Sequence, residues 1–156
     1  MLEKHLVVRM GRATRDSLAA MVLPDEQLLL ELLEVVKSGT QTQRMKGAWV
    51  LSAIHASDRA RLGAYHSFLL ALLQVETVGG VKREILRCFE NCSMEGDTAE
   101  QLLVIAMDWV TDEHQDLAVR YLCYRLMKPM LRVYPELYHE LQQRVELFQS
   151  KFGRFP

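Results

Sequence analysis

Along almost the whole chain, apolar residues recur at the three-and-four spacing of amphipathic helices, and segments alternating every second residue are nearly absent. The breaks in this pattern mark the helix ends. Pro24 followed by Asp25 and Glu26 opens a helix, because proline suits a first turn and acids there complement the helix dipole. Ser38-Gly39 closes that helix, and Pro135-Glu136 opens the last one in the same way. Asp97 or Thr98 and then Asp112 are the caps expected for the two helices between. The pattern predicts eight helices in antiparallel pairs: 12–23 with 25–37, 41–55 with 59–75, 79–92 with 98–110, and 113–133 with 136–150. A short segment at 2–10 precedes or extends the first. No long polar linker interrupts them, so one domain over residues 1–156 is expected.

The first helices of the pairs share a register. Arg15, Lys46, Lys82 and Arg120 mark equivalent points, separated by 31, 36 and 38 residues. One residue before these cations stand Thr14, Met45, Val81 and Val119. Three after stand Leu18, Trp49, Ile85 and Cys123; four after, Ala19, Val50, Leu86 and Tyr124; seven after, Val22, Ala53, Phe89 and Met127. Those offsets fall on one helical face. The second helices answer with apolar pairs such as Leu28/Leu29, Leu32/Leu33, Leu72/Leu73 and Leu102/Leu103. A lone hairpin cannot cover two such stripes, but hairpins stacked side by side can.

On Met45-Lys46, Val81-Lys82 and Val119-Arg120, with the apolar spacing downstream of each, the chain resembles the HEAT-repeat family over about four repeats. The resemblance implies an all-α fold: a right-handed α-α superhelix, a HEAT-like stack of about four antiparallel helix pairs. It also implies a bend at Pro129, since first helices of that family often bend at a proline. The family's acid shortly before the cation is present only as Asp116. Gly11, Thr42 and Val78 hold the equivalent places, so no Asp–Arg ladder is expected.

Charge narrows the functions. Lys+Arg number 19 and Asp+Glu 20, a net charge of −1, whereas duplex-binding surfaces carry a basic excess. No apolar run reaches the ~20 residues of a membrane span. No signal-peptide core opens the chain and its three cysteines are an odd number, which points to the cytoplasm.

Chemistry-bearing residues mostly resolve into packing. Cys88 and Cys92 stand at i and i+4 within RCFENC, one above the other on the helix expected at 79–92, with no His or acid at zinc spacing, and Cys123 falls on a core position. The five histidines form no metal pair; His55 and His66 flank one turn, where capping or exposure is expected. Gly79-Gly80 precedes a helix without the strand or Gly-Lys-Ser/Thr of a phosphate loop, and reads as a turn. Asp108 stands out in the apolar stretch VIAMDWV, where it suits a structural acceptor. No catalytic set, metal site or cofactor motif emerges, and a non-enzymatic protein without cofactors is expected.

The resemblance places the second helices on a concave face where partners dock. With the apolar stripe turned inward, Glu31, Glu34, Tyr65, His66, Met107, Asp108, Tyr138 and Arg144 remain as candidates for that face. The expected function is a scaffold that binds a protein or peptide there. The alternative is a DNA-binding or repair protein resembling the HEAT-like alkylpurine glycosylases, with Trp49, Trp109 and Asp108 as the residue types; a homodimer is a third reading. The tail KFGRFP, with Phe152 and Phe155, is expected to fold over the end of the stack.

Overall fold

The computed structural model describes residues 2–6, 9–94 and 96–153. Among them lie eight α-helices and no strand: α1 Arg12–Val22, α2 Glu26–Ser38, α3 Gln41–Ser57, α4 His66–Val75, α5 Gly79–Arg87, α6 Gly96–Val110, α7 Leu117–Met130 and α8 Pro135–Phe152. Short 3₁₀ segments, Leu2–His5 and Gly63–Tyr65, precede α1 and α4. The chain forms two compact units, residues 1–92 and 93–156. The third expected pair straddles that division, with α5 in the first unit and α6 in the second.

In the first unit α3 is the central element, packed against α1, α2 and α5. Its start is fixed by a capping box: Thr40 Oγ1 accepts from Gln43 N–H, and the Gln43 side chain accepts from Thr40 N–H. Asp25, expected as a first-turn acid of this helix, instead caps α2 by accepting from Leu28 N–H at 3.0 Å. Leu29, Leu32, Leu33 and Val36 of α2 are buried, as are Val50, Leu51 and Ile54 of α3 and Val81, Ile85 and Leu86 of α5. Each such side chain contributes about 2 kcal/mol of burial free energy. The shared register holds for Leu18, Ala19 and Val22 in α1 and for Val81, Ile85, Leu86 and Phe89 around α5.

It fails in α3, where Met45, Trp49 and Ala53 are only half-buried and Gly47, Ala48, Leu51 and Ile54 face inward instead. A helix flanked on three sides buries a wider arc than one stripe. Gly47 is needed there: a Cβ would stand 2.8 Å from the Val36 Cγ2 methyl of α2. Trp49 lies between two of the marking cations, with the Arg15 guanidinium 4.9 Å and the Lys46 ammonium 5.2 Å from its ring centre.

In the second unit α6 packs on α7. Leu102, Leu103, Ala106 and Val110 of α6, Val119, Leu122, Cys123 and Met127 of α7, and Leu141, Val145 and Phe148 of α8 are buried. The Arg120 guanidinium sits 4.6 Å from the Phe148 ring centre, joining α7 to α8.

Four boundaries differ from expectation. Residues 59–65 form turns and a 3₁₀ segment, because Asp58 draws Ala60 N–H to its carboxylate and Arg61 N–H to its carbonyl. Helix α5 stops at Arg87, and residues 88–91 continue as tighter turns that end with Asn91 at φ 55°. Cys88 and Cys92 therefore do not share a helix. Asp112 accepts from His114 N–H instead of capping a helix, and Asp116 is the N-cap residue of α7. Pro129 does not bend a longer helix; α7 ends one residue beyond it. The Phe152 side chain and Phe155 fall outside the described residues, and the expected cover by KFGRFP falls there with them.

Candidate partner-binding faces

In the first unit the outward side of α2 presents Gln27, Leu30, Glu31, Glu34 and Ser38, three and four residues apart. With Glu3 they line a cleft of about 530 Å³. Leu30 is 45% exposed, an apolar floor among carboxylates. Glu31 accepts the backbone N–H of Leu2 at 2.9 Å, tying the chain start to α2. Glu34 accepts from Ser38 Oγ at 2.8 Å one turn on, and remains exposed.

The other two candidates of this unit do not line that cleft. The Tyr65 hydroxyl donates to the Glu26 carboxylate, which also pairs with Arg61 at 2.7 Å, while Arg61 Nε donates to the Leu23 carbonyl at 2.8 Å. Tyr65 thus fastens the α3–α4 connection to the start of α2. His66, expected on an exposed face, is buried with its ring 4.8 Å from that of Phe89. Burial lowers its pKa, the neighbouring His55 lowers it further, and a hydrogen bond to the Cys88 backbone opposes them. His55 is buried too, its Nε2 2.6 Å from the Glu90 carbonyl, so capping or exposure describes neither ring.

In the second unit Met107 is buried and Asp108 exposed. Tyr138 is 46% exposed and its hydroxyl accepts from Gln142 Nε2 at 2.6 Å. Arg144 pairs with Glu140 at 2.9 Å and reaches the Met107 carbonyl at 3.4 Å, linking α8 to α6.

Sequence reasoning missed two buried carboxylates. Glu84, on α5, accepts from Ser52 Oγ of α3 at 2.7 Å and from Arg87 at 2.9 Å. Glu76, whose side chain is 4% exposed, binds both terminal nitrogens of Arg44 at 2.9 and 3.2 Å and takes the N–H groups of Thr77 and Val78 at 2.9 Å each. Gly79-Gly80, expected as a turn, belong to helix α5 itself. Glu76-Thr-Val-Gly-Gly, an acid shortly before a helix start, was the available signal.

Burial pushes Cys88 far above the ordinary thiol range, with Glu84, Cys92 and Glu90 adding to it, and burial also raises Cys92. Among the described residues no three His, Cys, Asp or Glu side chains converge as a metal site, and no helix is long and apolar enough to cross a membrane.

The family model of the HEAT repeat domain matches residues 2–154. The chain belongs to the HEAT-repeat family. No curated protein and no solved structure matches it. The HEAT repeat assignment rests on nearly the full length and agrees with the all-helical fold. Proteins of this family are typically non-enzymatic scaffolds and commonly mediate protein interactions.

Proposed function

We propose that this HEAT-repeat protein is a non-enzymatic scaffold that docks a protein or peptide on the outward faces of its second helices. The stack of four pairs into a right-handed superhelix, with those helices on its concave side, belongs to the same proposal. The observation that carries it is the α2 cleft, where exposed Leu30 lies among Glu3, Glu31 and Glu34. An apolar contact ringed by carboxylates suits a basic amphipathic segment, whose Lys or Arg side chains meet the acids while an apolar side chain covers Leu30. Asp108, Tyr138 and Arg144 are the corresponding surface positions of the second unit; His66 and Met107 are buried and act only as support.

The DNA-binding alternative fits this lining poorly, because three carboxylates repel a phosphate backbone. The test is titration of a Lys- and Leu-rich helical peptide, its Glu-substituted counterpart and a DNA duplex, followed by amide chemical shifts. The basic peptide should shift residues of α2, weaken as salt rises, and lose about tenfold in affinity on Glu34→Lys. Glu34 is the better probe because Glu31 also holds Leu2. Equal binding of both peptides, shifts away from α2, or tighter binding of the duplex would each overturn the reading.

A further inference from the structure

His55 lies near the end of α3 and His66 begins α4, and both rings are at least nine-tenths buried. Both lean on the turn that follows α5. His55 Nε2 stands 2.6 Å from the Glu90 carbonyl, and a carbonyl can only accept, so Nε2 carries the proton and Nδ1 is the bare nitrogen. His66 packs on Phe89 of the same turn, ring centre to ring centre 4.8 Å. The two outer nitrogens, His55 Nδ1 and His66 Nε2, are buried without a hydrogen-bond partner among the described residues. An unshared lone pair in an apolar site is less costly than an unshared N–H⁺.

We propose that His66 is the proton-sensitive part of a latch: the buried rings of His55 and His66 hold turn 88–91 closed against α3 and α4, and protonation of His66 releases it. A proton added to His66 Nε2 would create a buried cation with no acceptor among the described residues, beside a second imidazole. The charged and titratable groups around the latch do not relieve this. From α5 and its turn come Glu84, Cys88, Glu90 and Cys92, and from the α3–α4 connection comes Arg59, which acts on Cys92. Glu84 is already engaged by Ser52 and Arg87, and neither Glu84 nor Glu90 is among the groups that shift His66. Both cysteines are held as neutral thiols by burial. Turn 88–91 suits a moving part, being the segment where helical hydrogen bonding gives way to tighter turns and a left-handed Asn91, and where the first unit ends.

The sign follows from linkage. The folded pKa of His66 lies below its ordinary 6.5, so the unfolded or opened state binds more protons, and stability present above that value is lost as pH falls through it. One proton taken up on opening accelerates it by at most about tenfold per pH unit.

The experiment is amide hydrogen exchange of the intact chain at pH 7.5 and 5.5, corrected for the intrinsic rate, together with nitrogen chemical shifts of the two imidazoles. The latch predicts that amides 88–92 open about tenfold more at pH 5.5 while those of α1 and α2 hold. It also predicts that His55 carries its proton on Nε2 at pH 7.5. His66→Asn, which removes the titrating ring, should flatten that pH response, whereas His55→Gln, which keeps a donor at the position of Nε2, should keep the turn closed at pH 7.5. Exchange of 88–92 that ignores pH, opening shared equally by the whole first unit, or an unaltered pH response in His66→Asn would overturn the latch. Because the imidazole shifts are read on the unsubstituted chain, a variant that fails to fold leaves the test intact.

Discussion

The two units are held together by different means. In residues 1–92, polar side chains join elements 32 to 38 residues apart: Arg44 to Glu76, Ser52 to Glu84, and Arg61 to Leu23. In residues 93–153, Arg120 stacks over Phe148, Arg144 touches the Met107 carbonyl at 3.4 Å, and the buried apolar side chains include Leu102, Val119 and Leu141. Apolar burial supplies most of the stability in both, but a directional bond between buried groups fixes which residue meets which. The first unit therefore has helix register fixed by these short polar bonds, whereas Arg120 and Arg144 of the second make a cation-over-ring contact and a longer bond of 3.4 Å.

The sharpest way to break that contrast is Glu76→Ala. Removing a nearly buried carboxylate strands Arg44 and two backbone N–H groups, and the first unit should lose about 3 kcal/mol in denaturant unfolding. Arg44 keeps some solvent, which holds the figure below that of a fully buried pair. Next comes Gly47→Val, which drives a side chain into the Val36 methyl; unfolding should record a loss of about 2 kcal/mol, greater than for any exposed glycine such as Gly63. Ser52→Ala takes one donor from Glu84 and should be worth about 1 kcal/mol. Arg144→Ala, the counterpart in the second unit, should change stability by less than about 0.5 kcal/mol, since its pairing with Glu140 lies in solvent. A loss from Arg144→Ala equal to that from Ser52→Ala would erase the proposed difference.

Much of the fold was legible because it follows from local rules. Helix existence, the Pro24-Asp25 and Pro135 starts and the buried seams of α1, α5 and α7 came from periodicity and the chemistry of helix ends, and the family resemblance rested on the cation-and-apolar spacing in α3, α5 and α7. What escaped was set by neighbours. The inward arc of α3 depends on three flanking helices, and the short α5 depends on a turn that accommodates a left-handed Asn91. For the candidate face, the α2 positions Glu31 and Glu34 could be read from helical phase alone. Burial of His66 could not, because Phe89 reaches it from more than twenty residues away. Buried Glu76 and Glu84 look like surface acids until their partners on α3 are known.

The central claim is that neighbouring hairpins shield each other's seams, so damage to one must loosen the next. Hydrogen exchange on Ile85→Ala tests this most directly, because Ile85 is fully buried in α5, and α5 packs on α3. Truncation of such a side chain weakens stability by about 2–5 kcal/mol. The account predicts that amides of α3 lose protection together with those of α5. Protection lost in α5 alone, with α3 unchanged, would contradict it.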